Sequence, residues 1–334
     1  ALKPLLVLLI ERSCSAKARQ QLLAMAAIIT GLTWLLLSWD GKDGTVLLFA
    51  TALVSLGSAV VDGLTDGLIS AESTEASAVE LQSLCQTGHS IGALLVGIAA
   101  WVFTLPDWLA LTCTALAWAV IAPFALNAHI VTEKAKKPAL SLSTLVLQGD
   151  AALVSILGFA VCLAPPADVF LYRKHVLGLQ GFQQPIISIA GTVGWFLCTV
   201  IYRKQISAER RATDTLRLCL KLWPVPLVAK ILILRPPEML VLPAALLENA
   251  ANEFGKALTF LPVTVLQQLH APAGCEGSAF TLMQAGGTLG MVVGRNLEWQ
   301  LLHWCGVDMQ LGADGFTNFS VLLVIVGAWR VLTA

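Results

Sequence analysis

Two aspartates inside an apolar segment are the first residues in this sequence that could perform chemistry. Asp62 and Asp66 lie four residues apart in an apolar run over residues 45–71, so a helix would place both carboxylates on one face. Two like charges at close range in hydrocarbon are costly, and a proton taken up by one carboxyl would relieve the cost. The spacing predicts proton handling or gating by the pair. The alternative is that both brace the basic stretch at residues 12–19.

A second polar group follows a helical repeat in another apolar segment. Glu248, Asn252 and Lys256 fall at positions i, i+4 and i+8, and Asn249 and Glu253 form a parallel row beside them. Such a stripe cannot face lipid, because each charged group in hydrocarbon costs at least about 2.5 kcal/mol. We therefore expect it to face a cavity and bind substrate. The alternative is an internal pair between Glu248 and Lys256 that locks the helix.

A third candidate is an aspartate behind a double proline. Asp168 follows Pro165 and Pro166, which lack backbone donors and leave carbonyl groups free to meet a ligand. Transporters use such broken helices at their binding sites. The pattern predicts that Asp168 binds substrate, or else that it stands at a structural kink and pairs with Arg173 or Lys174.

The last candidate is an arginine near the C-terminus. Arg295 follows Gly286, Gly290 and Gly294, a four-residue glycine spacing that favours close helix packing. Its planar guanidinium could bind a carboxylate through two parallel hydrogen bonds. Alternatively, it extends to the membrane surface beside Glu298.

Membrane helices must position all of these residues. The sequence is 57% hydrophobic and only 13% charged, and its apolar runs of roughly 18–25 residues match the thickness of a bilayer. Ten such spans, one of them over residues 213–234, and a short apolar stub over residues 1–10 can be drawn. We therefore predict an all-α, multi-pass membrane protein surrounded by lipid. The net charge of zero gives no reason to expect nucleic acid as a partner.

The longest polar break in the first half, residues 131–143, is basic and predicts a division into two helical halves. The N-terminal half covers residues 1–130 and the C-terminal half residues 144–334. If one further helix precedes residue 1, each half has six helices, the arrangement of carriers built from two repeats. The sequence contains no nucleotide-binding, hydrolase or metalloprotease motif and no cysteine or histidine cluster. We expect neither an enzyme nor a bound cofactor or metal.

Short motifs follow one another in a recognisable order along nearly the whole chain. They are Lys3-Pro4-Leu5 with Glu11 and Arg19, the segment from Val61 to Leu68 followed by Glu72, Leu81-Gln82-Ser83-Leu84-Cys85, Ala164-Pro165-Pro166-Ala167-Asp168 with Tyr172, and Phe260-Leu261-Pro262 with Gly277 and Phe280. This series resembles the folate–biopterin transporter family of the major facilitator superfamily. The first motif departs from the family pattern, because Glu11, Cys14 and a single Arg19 stand where the family has Asp, Pro and a double Arg.

The resemblance implies a twelve-helix carrier of the 6+6 type whose first helix is missing from this chain. It also implies transport of a folate or pterin by alternating access, often driven by protons. The substrate-binding candidates are then Asp168, Glu248, Asn252, Lys256 and Arg295. Glu72 would join Asp62 and Asp66 in proton coupling or gating. A plastid or thylakoid membrane and the plasma membrane are both consistent with the family.

A different class of function remains open from the sequence. The apparent absence of the first helix and the altered first motif would also fit a transporter-like fold without transport activity. Such a chain would serve as a structural or accessory subunit of a larger membrane complex, for example a photosynthetic one, with other membrane proteins as its partners.

Overall fold

The computed structural model describes residues 3–40, 44–103, 107–127, 149–165, 169–207, 210–234, 236–272, 275–308 and 314–333. These residues are mostly α-helical. The helices are α1 (Lys3–Ser13), α2 (Ala16–Asp40), α3 (Gly44–Glu72), α4 (Ala78–Phe103), α5 (Asp107–Asn127), α6 (Gly149–Cys162), α7 (Phe170–His175), α8 (Gln183–Ile201), α9 (Ala212–Leu222), α10 (Leu227–Leu232), α11 (Val241–Leu269), α12 (Glu276–Trp304) and α13 (Phe319–Thr333). The predicted linker at residues 131–143 and Asp168 lie outside the described residues.

The protein is an integral, multi-pass membrane protein, as predicted. Helical segments within the described residues are long and apolar enough to cross a bilayer at Lys17–Trp39, Gly44–Glu72, Trp108–Leu126, Gln183–Ile206 and Asp314–Val331. The equally long helices α11 and α12 carry the charged and amide side chains singled out from the sequence. Polar groups are therefore concentrated on particular helices.

Contacts between helices group the chain into two compact units. The first unit comprises residues 1–73, 104–152 and 270–285. In it, α2 packs against α3 and α5, and α1 packs against α3. Its core is apolar and includes Ile10, Leu23, Ala27, Val61 and Ala122.

The second unit comprises residues 74–103, 153–269 and 286–334. Helix α11 is central to it, because α4, α8, α9 and α10 all pack against this helix. Glycine permits the closest of these contacts, since a Cβ on Gly194 of α8 would lie 2.0 Å from the carbonyl oxygen of Ala250 on α11. The polar stripe predicted on α11 therefore lies at the centre of a helical unit.

One predicted span is not a continuous helix. Residues 213–234 were expected to cross as a single segment, but α9 ends at Leu222 and α10 begins only at Leu227. Pro224 and Pro226 lie in the turns between them, and proline in a helix interior removes a backbone hydrogen bond and clashes with the preceding turn. Hydropathy could not report this break, because it is averaged over a window of residues and does not register where the backbone hydrogen bonds are interrupted.

Candidate functional site

The second unit contains a cavity of about 960 Å³. Residues of α4, α7, α8, α11 and α12 line it. Its polar lining consists of His89, Ser90, Arg173, Gln184, Ser188, Thr192, Asn249, Asn252, Glu253, Lys256, Arg295 and Glu298. This volume falls in the range of pockets that hold small organic molecules, and the lining offers both hydrogen-bond donors and acceptors.

The polar stripe of α11 supplies one wall of the cavity. Asn252 and Lys256 both line it, as their helical spacing predicted. Lys256 Nζ lies 2.5 Å from Glu253 Oε1, and Asn252 Nδ2 donates a hydrogen bond of 3.3 Å to the same oxygen. Asn252 Oδ1 is buried and has no hydrogen-bond partner among the described residues. The wall thus combines a local ion pair with an amide oxygen available to a ligand.

Glu248 lies behind the cavity wall and is fully buried. Its charge partners are Arg173, at 4.0 Å between Nη1 and Oε2, and Lys230, at 3.9 Å between Nζ and Oε1. Lys256 instead pairs with Glu253, so the internal Glu248–Lys256 pair considered from the sequence is not formed. One carboxylate therefore lies between two buried cations.

Arg173 is the site residue that the sequence interpretation missed, because it considered this arginine only as a partner of Asp168. The side chain is buried, lines the cavity and donates a hydrogen bond of 3.3 Å from Nη2 to Asn249 Oδ1. Asn249 Nδ2 in turn donates to the carbonyl oxygen of Ile187, 2.8 Å away. Asn249 thus connects Arg173 to α8.

Arg295 is placed differently from the other candidates. It lines the same cavity from α12 but is exposed. Glu298, at i+3 on the same helix, is buried and also lines the cavity. The second unit therefore brings Asn252, Lys256 and Arg295 to one cavity, with Glu248 directly behind its wall.

The first unit holds the predicted proton-coupling residues. Lys3 Nζ lies 3.2 Å from Asp66 Oδ2 and 3.9 Å from Asp62 Oδ2, so one lysine of α1 bridges two carboxylates of α3. The predicted common face of Asp62 and Asp66 is thus observed, although their partner is Lys3 rather than the basic stretch at residues 12–19. Glu72 is the exposed last residue of α3.

A further carboxylate in the first unit caps a helix. Glu11 Oε1 accepts a hydrogen bond of 2.8 Å from the backbone N–H of Gly277, and Oε2 accepts one of 3.0 Å from that of Ser278. Both donors belong to the first turn of α12, where unpaired N–H groups favour a negative charge. Burial raises the pKa of Glu11 above its ordinary value of 4.5, while these hydrogen bonds and Arg19 act in the opposite direction.

Comparison with known proteins agrees with this architecture. Residues 123–333 match the model of the BT1 family. No curated protein matches the sequence. Among solved structures, the Escherichia coli fucose:proton symporter FucP superposes with a TM-score of 0.65 at 11% identity, over 100% of this chain and 87% of that chain.

Two further solved structures are similar. The human organic anion transporter MFSD10 gives a TM-score of 0.69 at 13% identity, over 98% of this chain and 80% of that chain. A bacterial homologue of the iron transporter ferroportin in its outward-facing state gives a TM-score of 0.62 at 15% identity, over 99% of this chain and 84% of that chain. At these identities the likeness establishes the fold, which is that of the major facilitator superfamily.

Proposed function

The chain belongs to the BT1 family, the folate–biopterin transporter family, and from this premise we propose that this secondary transporter carries a folate or a pterin together with protons. The observation that carries the proposal is the cavity of about 960 Å³ in the second unit, with its lining of amides and charges. A pterin ring presents alternating donors and acceptors along its edge. Asn252 Oδ1 and the Lys256–Glu253 pair offer complementary groups on one helix.

The proposed substrate contacts are Asn252, Lys256 and Arg295, which line the cavity. Asp168 and Glu248 complete the proposed site. Glu248 lies behind the cavity wall, and its carboxylate attracts the side chains of Arg173 and Lys230. The aromatic face of Trp195, which also lines the cavity, is a surface on which a flat heteroaromatic ring can stack.

The proposed proton site is the pair Asp62 and Asp66. Lys3 neutralises one of the two carboxylates, and a proton can neutralise the other. Glu72, exposed at the end of the same helix, is proposed to act in gating. A cycle of proton uptake and release would alter the contact between α1 and α3, and so couple to the movement of the helices.

Uptake into proteoliposomes tests the substrate assignment. The purified chain should accumulate labelled folic acid when the outside is made acidic, and unlabelled folate or pterin should compete. Asp168→Ala and Glu248→Gln should each lower uptake at least tenfold. Arg217→Gln, a change to a surface side chain that is 79% exposed, should behave as wild type. Uptake that both site variants leave unchanged would refute the site assignment.

Exchange under two conditions tests the proton assignment. Asp66→Asn should abolish accumulation driven by a proton gradient, while labelled and unlabelled folate continue to exchange across the membrane without a gradient. This combination separates loss of coupling from loss of substrate binding. Full gradient-driven accumulation by both Asp62→Asn and Asp66→Asn would show that the protons are handled elsewhere.

A further inference from the structure

Arg173 makes few of the hydrogen bonds that its side chain can donate. A guanidinium carries five N–H donors, yet among the described residues Arg173 donates one side-chain hydrogen bond, to Asn249 Oδ1 at 3.3 Å. Its Nε is buried and has no hydrogen-bond partner among the described residues. The residue as a whole is 6% exposed and lines the cavity of the second unit. A buried donor without an acceptor lowers stability, so Arg173 can gain a hydrogen bond by binding a further acceptor.

The ion pair between Arg173 and Glu248 is longer than a hydrogen bond. Glu248 Oε2 lies 4.0 Å from Nη1, which is too long for a hydrogen bond. The other oxygen of Glu248 lies 3.9 Å from Lys230 Nζ, so Glu248 is not held against Arg173 alone. Buried cations are stable when paired with anions at hydrogen-bond distance. A second carboxylate reaching Arg173 from the cavity would supply such a pairing.

The backbone and neighbouring side chains hold Arg173 in place. Asn249 is fixed between Arg173 and the carbonyl oxygen of Ile187. Space for Asn249 exists because residue 191 is glycine, where a Cβ would approach Asn249 Nδ2 to 2.3 Å. A fixed guanidinium binds a carboxylate with less loss of side-chain entropy than a mobile one, and its planar fork allows two parallel hydrogen bonds.

We infer that Arg173 is a carboxylate-binding residue of the cavity and makes it select anionic cargo. Among the molecules of the proposed function, on which this step rests, a folate carries a glutamate tail with two carboxylates, whereas an unconjugated pterin is uncharged. Arg173 therefore discriminates in favour of the folate. Glu248 positions Arg173 and partly neutralises it, and a cargo carboxylate replaces that interaction at shorter range.

Binding of three probes to the purified protein tests the inference. The probes are folic acid, p-aminobenzoylglutamate, which is the carboxylate half of a folate, and uncharged 6-hydroxymethylpterin. Tryptophan fluorescence or calorimetry gives each dissociation constant. The wild type should bind folic acid and p-aminobenzoylglutamate, and both more tightly than the uncharged pterin.

Variants assign the selectivity to the residue. Arg173→Gln should weaken both carboxylate probes by at least tenfold and leave the affinity for the pterin within twofold. Arg173→Lys should recover part of the loss, because it restores the charge without the planar fork. Retained binding of the uncharged pterin shows that Arg173→Gln remains folded. Arg217→Gln, which removes an exposed arginine on α9, is the matched control.

The outcomes separate this inference from the proposed function. Equal affinity for folic acid and the pterin, unchanged in Arg173→Gln, would overturn the inference and leave folate or pterin transport standing. Loss of pterin binding together with folate binding in Arg173→Gln would show a structural role and also overturn it. Arg173-dependent binding of p-aminobenzoylglutamate without binding of folic acid or pterin would support the carboxylate site and refute the proposed substrate. No binding of any probe to the wild type would refute both.

Discussion

Substitution of Gly191 tests the contact between α8 and α11 beside the cavity of the second unit. Gly191 lies on α8 where α11 approaches, and an added Cβ would come 2.3 Å from Asn249 Nδ2 and 3.0 Å from Glu253 Cγ. The amide of Asn249 must therefore move in Gly191→Ala. In moving, it gives up its bond to the carbonyl oxygen of Ile187 at 2.8 Å and its bond from Arg173 at 3.3 Å.

The expected cost of Gly191→Ala follows from these two hydrogen bonds. A neutral hydrogen bond contributes about 0.5–1.5 kcal/mol and one to a charged group about 1.5–3 kcal/mol, so losing both costs about 2–4.5 kcal/mol. Replacing a helical glycine by alanine offsets about 1 kcal/mol of this through helix propensity. We expect a net loss of about 1–3.5 kcal/mol in the free energy of unfolding. Affinity for folic acid should fall as well, because Arg173 loses its fixed partner.

Unfolding in mixed detergent micelles, followed by tryptophan fluorescence, measures the free energy of unfolding. A titration with folic acid measures the affinity. Gly92→Ala is the matched control, because no other atom outside its own helix lies within 4 Å of a Cβ at this position. Its stability should be unchanged or slightly higher. Combining Gly191→Ala with Asn249→Ala should cost less than the sum of the single changes, because the clash disappears with the amide. Additive effects, or a Gly191→Ala variant as stable as the control, would refute the reasoning.

Three further changes have defined expectations. Glu11→Gln should lower the melting temperature, because the amide has one acceptor oxygen where the carboxyl group has two for the N–H groups of Gly277 and Ser278, a loss of about 1 kcal/mol. Because burial raises the pKa of Glu11, wild-type stability should fall as the pH rises from 4.5 through the folded-state pKa. The variant should lack this slope. Gly194→Ala should destabilise as strongly as Gly191→Ala but independently of Asn249→Ala, since its Cβ would meet the backbone oxygen of Ala250. Gln82→Leu and Gln268→Leu should each cost about 1–3 kcal/mol by breaking a buried hydrogen bond of 2.7 Å, and the double variant should recover part of that loss in unfolding titrations.

Helical periodicity was sufficient to predict which residues share a face. The polar stripe of α11 and the pairing face of Asp62 and Asp66 both follow from residues four apart in an apolar run, because one helical turn fixes their direction. Hydropathy likewise predicted the membrane helices. It failed at Pro224 and Pro226, where a predicted span is divided into two short helices, because hydropathy averages over the residues that break the backbone pattern.

The partners of these residues could not be predicted in the same way. Lys256 finds Glu253 within its own helix, a contact of the i, i+3 type that spacing could have indicated. Arg173 and Lys230 reach Glu248 from two other, short helices that precede α11 in the chain. Only the packing of α7, α10 and α11 brings them together. A single sequence indicates such a contact only where a charged residue interrupts an apolar segment. Lys230 interrupts one, but a lysine near the end of an apolar segment is equally typical of a side chain that extends to the membrane surface.

The two units contain charge clusters of opposite composition, and this difference bears on the transport cycle. In the first unit, one cation, Lys3, bridges Asp62 and Asp66. In the second, one carboxylate, Glu248, lies between Arg173 and Lys230. A proton can neutralise the carboxylate of the first cluster that Lys3 does not, and a cargo carboxylate can pair with Arg173 of the second. Under the proposed function, proton uptake and cargo binding would therefore involve different residues. Asp66→Asn should then impair the driving force and Arg173→Gln the affinity, each without the other effect.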